Sequence, residues 1–440
     1  MSAVLPYTKA TLDNGLDVIV HEEHACPVVA VNLWYHVGSK NERPGRTGFA
    51  HLFEHLMFEG SEHHDSGYFR PLEEAGGALN GSTNADRTNY WATVPREAVE
   101  RALWLESDRM GYLLPALSAD KLATQRDVVL NERRQNYENR PYGLAMMVLA
   151  AAHFPSPHPY HWPTIGMPAD LHAVQLDDVR EFFTAYYHPG NASLAIAGDI
   201  DTDEALALAA RYFAEIPAGP PPPPVAVPAA SSGASASLPR SMCLEDRVEL
   251  ARVYLTWRTT ALFEAGDAEL DVLADLLAGG LSSRLHRALV RDRRLATDVG
   301  AWQDSREMAG LFAISATVAP TARAADVEAV IEDELARMVV EGPSGDELAR
   351  VLRSAESATA ALLQRVGGFG GRSDQLNRYN VYAGTPGYLA GDLARYRRVD
   401  GNGVRAAAAR LAAERRVALS IVPPGSTGAA LPGAVPADVS

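Results

Sequence analysis

The chain has 440 residues, 47% hydrophobic and 22% charged, an ordinary balance for a globular protein and long enough for two domains. A net charge of −15 argues against nucleic acid as the main partner, because phosphate binding needs a basic face. Its two cysteines, Cys26 and Cys243, lie far apart and outside any CxxC pattern, which excludes a disulfide framework and a thiolate metal site.

The N-terminal stretch MSAVLPYTKATLDNG has neither a basic n-region nor an apolar h-region. No apolar run reaches the roughly 20 residues of a membrane span. As written the chain reads as cytoplasmic, or as periplasmic had an export signal been removed. VVAVNLWYHVG (Val28–Gly38) alternates like a strand, and GFAHLFEHLMFEG (Gly48–Gly60) follows with a helical pattern that offers Leu52, Phe53, Leu56 and Met57 for packing. GGALNGSTNADRTNYW (Gly76–Trp91) reads as a strand and turn rich in Asn and Gly. The stretch Ala173–Gly198 predicts an amphipathic helix and then a short apolar strand. Residues 217–240 are rich in Pro, Ala and Ser, cannot bury a hydrophobic face, and read as an extended linker.

Beyond the linker the same order recurs. LARVYLTWRTT (Leu250–Thr260) alternates like a strand and precedes a helix, and Arg398–Pro423 repeats the helix-then-strand pattern. Val174, Val179, Leu194 and Ile196 match Val399, Val404, Leu419 and Ile421, all at one offset of 225 residues. So long a period indicates a duplicated domain rather than a solenoid. The expected fold is α+β: two homologous α/β-sandwich domains at 1–216 and 241–422, joined by the Pro-rich linker, with 423–440 as a loose tail.

Twelve of the 13 histidines precede the linker, so any imidazole chemistry belongs to 1–216. His51 and His55 are spaced i, i+4 and project from one helix face about one turn apart, which suits two nitrogen ligands on one zinc ion. Glu54 stands beside them, where a carboxylate can take a proton from a zinc-held water and pass it to a leaving amine. A catalytic zinc also needs a third protein ligand and an open position.

HLFEH (51–55) resembles the inverted zinc motif of the pitrilysin-like, or M16, peptidases, which include insulin-degrading enzyme and the mitochondrial processing peptidase. In that family a glutamate some 75 to 77 residues beyond the second histidine completes the metal site, which implies Glu132, in DVVLNERRQNYENRPYG (Asp127–Gly143). The resemblance implies one Zn2+ per chain on His51, His55 and Glu132, with Glu54 as the base. It also implies that Gly76–Trp91 holds a substrate-binding edge strand, with Asn80 and Gly81 at the peptide. Family members often carry a second glutamate seven residues before the ligand; here that position is Gln125, which predicts altered metal affinity or proton handling. Some relatives use an Arg and a Tyr seven residues apart in a non-metal half, or in a separate subunit, to steady the substrate carbonyl, and Arg372 and Tyr379 have that separation.

The second half does not repeat the metal motif: aligning LMFEG with LLAGG puts Asp271, Ala274 and Asp275 where His51, Glu54 and His55 stand. A family member of this length implies half of a clamshell, paired with a like or unlike M16-type subunit as a homodimer or heterodimer around a chamber for short or unfolded peptides. Three readings stay open: a zinc endopeptidase, a non-catalytic core subunit of an M16-type complex, and a zinc-dependent carrier or binding module without hydrolysis. The four intact motif residues favour the first.

Overall fold

The computed structural model describes residues 4–226 and 240–438. Strands β1 (Thr8–Thr11), β2 (Asp17–Glu22), β3 (Val28–Tyr35), β4 (Ala78–Thr83), β5 (Thr88–Pro95) and β6 (Ala192–Gly198) form one sheet in the order β1-β2-β6-β3-β5-β4. Strands β7 (Ser241–Glu245), β8 (Arg252–Thr259), β9 (Ala296–Asp304), β10 (Gly310–Val318), β11 (Arg416–Val422) and β12 (Val435–Pro436) form a second, ordered β12-β7-β11-β8-β10-β9. Apart from the outermost β1 and β12, the second order repeats the first strand for strand. The one parallel pair in each five-strand repeat, β2 with β6 and β7 with β11, recurs as well. The duplication expected from the 225-residue offset is therefore present, and the fold is α+β with two sheets, each layered with helices.

Strand β3, VVAVNLWY, is buried along nearly its whole length, as expected for a strand covered on both faces. Its side chains alternate between those faces. Tyr35 meets Tyr90 and Tyr187 on one side. On the other, Asn32 and Trp34 meet a helix from beyond the linker, Arg372–Ala383. Asp374 accepts hydrogen bonds from Trp34 Nε1 at 2.9 Å and from Gly370 N at 2.7 Å, and Asn377 donates to the Asn32 carbonyl at 2.8 Å. These bonds satisfy polar groups that would otherwise be buried without partners.

The exchange is reciprocal. Helix Ala145–His153, from before the linker, lays Ala145, Val148 and Leu149 on Tyr254 of β8 and on Val417, Leu419 and Ile421 of β11. His153 adds a 2.8 Å hydrogen bond to Thr256, whose own proton goes to the Val417 carbonyl. The chain accordingly divides into one unit of 1–131, 162–227 and 358–391 and another of 132–161, 228–357 and 392–440. These units differ from the linear halves divided at 216 and 241 in the exchanged segments: each sheet needs cover on its second face, and each takes it from the other half's sequence.

The tail expected to be loose is also structured. Leu431 is buried, its N–H donates to Ser420 Oγ at 3.0 Å, and β12 pairs in parallel with β7. Of the linker, residues 217–226 are without helix or strand and 227–239 lie outside the described residues.

Candidate metal centre

Helix Phe49–Leu56 carries HLFEH. It starts at Gly48, whose φ of 86° lies in the left-handed region. A Cβ there would also come within 2.8 Å of Gly166 Cα, so two glycines let the segments touch. No side chain at Gly48 can cap the helix; Glu42 does so instead, accepting from Gly48 N and Ala50 N at 2.9 Å each. Burial pushes the Glu42 carboxyl well above the usual carboxylate range, although these N–H groups oppose the shift. Phe53 anchors the helix by stacking on Phe182, Phe183 and Tyr187. With Leu52, Phe53 and Leu56 turned to the core, His51, Glu54 and His55 are left on the partly accessible side.

One donor atom each from His51, His55 and Glu132 lie within 4.8 Å of one another. The two imidazole centroids are 4.8 Å apart. Glu132 stands on the last turn of helix Ala119–Arg133, adjacent to Asn131, where the first unit's share of that continuous helix ends. Directly after it the helix widens into a π-helical turn, Arg134–Glu138, a feature common at functional sites. In that turn Asn136 Nδ2 donates to Glu132 Oε1 at 3.3 Å, which orients the carboxylate. Two imidazoles and a carboxylate are a donor set suited to a catalytic zinc with one position left open.

Glu54 is tied to the sheet. Its Oε2 accepts a 2.7 Å hydrogen bond from the hydroxyl of Thr83, the last residue of β4. Strand β4 ends the sheet, so among the described residues one of its edges has no strand partner. On it, Asn80 is exposed and its Oδ1 accepts from Gly81 N at 2.8 Å. Gly81 is buried; a Cβ there would meet the Phe58 ring at 3.1 Å and Tyr90 at 3.2 Å, so glycine lets the aromatic wall close on the strand.

Gln125 does not reach a ligand through its amide: it donates to Glu59 Oε1 at 2.6 Å. Arg372 and Tyr379 belong to helix Arg372–Ala383. They lie on the helix that covers the Trp34 face of the first sheet, whereas Phe53 of the HLFEH helix stacks with Tyr187 on the Tyr35 face. Arg372 is held by the Leu363 carbonyl at 2.7 Å and by Glu23 at 3.3 Å, and Tyr379 is buried beside Tyr388. Within this chain the first sheet lies between their helix and the HLFEH helix. In the second half, Asp271 accepts a 2.6 Å bond from the Tyr396 hydroxyl, a packing role in place of His51's. A second acidic and imidazole group, Glu22, His24 and Asp201, lies on the surface; His24 is engaged by Asp199 and Glu22.

Sequence reasoning missed Thr83, Asn136 and Glu42. Asn136 follows Glu132 by four residues, so helical spacing could have suggested it. Thr83 reaches the site only through a tertiary contact, and Glu42 through the turn that leads into the helix.

Residues 17–157 match the family model described as Insulinase (Peptidase family M16), and residues 173–355 the model described as Peptidase M16 inactive domain. Zinc protease PqqE of Helicobacter pylori is 31% identical over 293 residues, which span 66% of this chain and 65% of that protein. An uncharacterized zinc protease of Mycobacterium leprae is 30% identical over 336 residues, spanning 76% of this chain and 74% of that protein. The chain belongs to the M16 peptidase family. Solved structures show the same M16 fold. A protease from Helicobacter pylori has a TM-score of 0.83 at 24% identity, over 95% of this chain and 100% of that one. A peptidase M16 inactive domain from Pseudomonas fluorescens has a TM-score of 0.81 at 21% identity, over 95% and 98%. Among the described residues, no helix is long and apolar enough to cross a membrane.

Proposed function

We propose that this M16 chain is a zinc-dependent endopeptidase for short or unfolded peptides. The observation that carries the reading is the convergence of His51, His55 and Glu132 within 4.8 Å, with Glu54 between the histidines. The three ligands would hold one zinc ion, which when bound polarises a carbonyl and lowers the pKa of water toward about 7. Glu54 takes the proton of the attacking water and hands it to the departing nitrogen. Thr83 fixes the carboxylate's orientation for that task through its 2.7 Å bond. The free edge of β4 aligns an extended substrate main chain to main chain, and Asn80 swings from Gly81 N to the substrate. A second M16-type subunit, like or unlike, completes a chamber that admits unfolded chains.

The test is metal analysis of the purified chain with cleavage of an unstructured peptide by wild type and Glu54→Gln. A Glu54→Gln protein that holds zinc and cleaves at the wild-type rate refutes the mechanism. The alternative, a non-catalytic core subunit, is favoured by the match of 173–355 to a domain described as inactive. It predicts zinc binding without cleavage by wild type, alone or paired.

A further inference from the structure

A peptide strand added to the outer edge of β4 would turn its side chains alternately to the two faces of the sheet, as β4 itself does. Gly81 and Thr83 point to the face of the HLFEH helix, where Thr83 holds Glu54 and Gly81 faces the Phe58 ring. Ala78 and Asn80 point to the opposite face and are exposed. Trp91 of β5 stands directly across from Asn80 in the register, so its ring shares that second face.

A loop built for close approach brings another aromatic ring to the same place. In VGGFGG (366–371), a Cβ on Gly367 would collide with Thr93 Oγ1 and come within 2.8 Å of Ala30 Cβ, so glycine lets the loop lie on the sheet. Gly368 and Gly370 have φ of 76° and 74°, in the left-handed region. Gly370 N donates to Asp374 Oδ2 at 2.7 Å, and Arg365 Nη2 to the Phe369 carbonyl at 2.9 Å. Phe369 is thus fixed edge-on to Trp91, with ring centroids 5.5 Å apart, and yet is 38% exposed. Leu362, also exposed, extends the apolar strip: a Cβ on Gly370 would lie 3.0 Å from its Cδ2.

A lone exposed phenylalanine is ordinary on a protein surface. This one is held by three glycines and two hydrogen bonds against a second aromatic, beside the strand edge that is open to a peptide. Main-chain pairing on β4 is indifferent to side chains, so choice among unfolded peptides has to come from side-chain contacts of this kind. The reach is sufficient. The added strand and β5 lie on either side of β4, roughly 10 Å apart. Asn80 between them is short, so an aromatic or long apolar side chain can cross it to the two rings, whereas a short one cannot.

We propose that Phe369 and Trp91 form a specificity subsite that takes an apolar, above all aromatic, side chain of an extended peptide lying on β4. The subsite rests on the endopeptidase reading for where the peptide lies and adds which peptides are chosen. Asn80 and Thr83 are three residues apart, roughly 10 Å of strand, which puts the selected side chain about three residues from the bond cleaved.

Two acetylated, amidated peptides test this: Ala-Ser-Ala-Lys-Ala-Phe-Ala-Lys-Ser-Ala, and its counterpart with serine in place of phenylalanine. Dissociation constants are measured by calorimetry on full-length Glu54→Gln, and cleavage positions by mass spectrometry on wild type. The phenylalanine peptide should bind roughly tenfold tighter or more, through the apolar area its ring buries, and the ratio should fall to about twofold or less on adding Phe369→Ala. Phe369→Leu, which keeps an apolar contact, should retain most of the ratio. Absence of binding by both peptides, a ratio near one, or a ratio that survives Phe369→Ala overturns the subsite. Cleavage of both peptides by wild type would then leave the endopeptidase reading standing, whereas selective binding without cleavage supports the subsite and refutes that reading. A ratio near one together with loss of a dimer in Phe369→Ala, seen by sedimentation, assigns the strip to a second subunit instead.

Discussion

The hydroxyl of Thr83, at the end of an edge strand, donates a 2.7 Å hydrogen bond to Oε2 of Glu54 on the HLFEH helix. The strand that would align a peptide and the carboxylate that would act on it are thus one connected unit. Hydrogen bonds to charged groups contribute about 1.5–3 kcal/mol. Thr83→Val should therefore lower kcat about tenfold or more on an unstructured peptide, with KM and zinc content unchanged. A parallel fall in zinc content would move Thr83 from orienting the base to holding the ligands.

Asn136 acts on the metal rather than the proton. Its amide is the hydrogen-bond partner of Glu132 Oε1, and loss of such an outer contact typically costs about 10–100-fold in metal affinity. Asn136→Ala should show that weakening in a chelator competition titration, whereas Glu132→Gln should abolish stoichiometric zinc. Equal affinities for Asn136→Ala and wild type would show that the π-helical turn alone fixes the ligand.

Gln125 hydrogen-bonds Glu59, so Gln125→Glu would set two carboxylates at the 2.6 Å now spanned by amide and acid. The pair could keep only one charge easily, and its upper pKa would rise above the unfolded value. A raised folded pKa gives stability that is retained at low pH and lost as pH rises. The variant should match wild type near pH 4 and be about 1–3 kcal/mol less stable at pH 8. Denaturant unfolding at the two pH values decides it; a constant difference would mean that the two acids do not meet.

His153, buried against the second sheet, is pushed down to about 4 by burial and then by the nearby Arg415 and Arg258. Its folded pKa lies below its unfolded one, so the unfolded chain takes up the proton first as pH falls. Stability from this residue is whole above about pH 6.5 and declines toward pH 4, by about 3 kcal/mol at most. His153→Gln keeps a donor for Thr256 and should flatten that part of the stability-versus-pH curve. An unchanged curve would assign the acid sensitivity to other groups.

The sequence by itself determined what depends on local spacing. His51, Glu54 and His55 share one helix, so i, i+3 and i+4 place them together wherever that helix lies. The duplication was legible for a similar reason: alternation and helical periodicity survive in both halves, and a fixed 225-residue offset needs no knowledge of contacts. Glu132 was reached only by resemblance, because nothing in the residues between it and His55 encodes how two helices approach.

Tertiary structure alone decided the rest. Arg372 and Tyr379 have the spacing of a substrate pair, yet strand alternation puts their helix on the opposite face of the sheet from HLFEH. The tail's composition suggested looseness, but Leu431 finds a buried place and β12 an open strand edge. The exchange of Ala145–His153 for Arg372–Ala383 left no mark in either half. An amphipathic helix records that it has an apolar face, and only the assembled sheets, each with one face uncovered, determine which surface that face will cover.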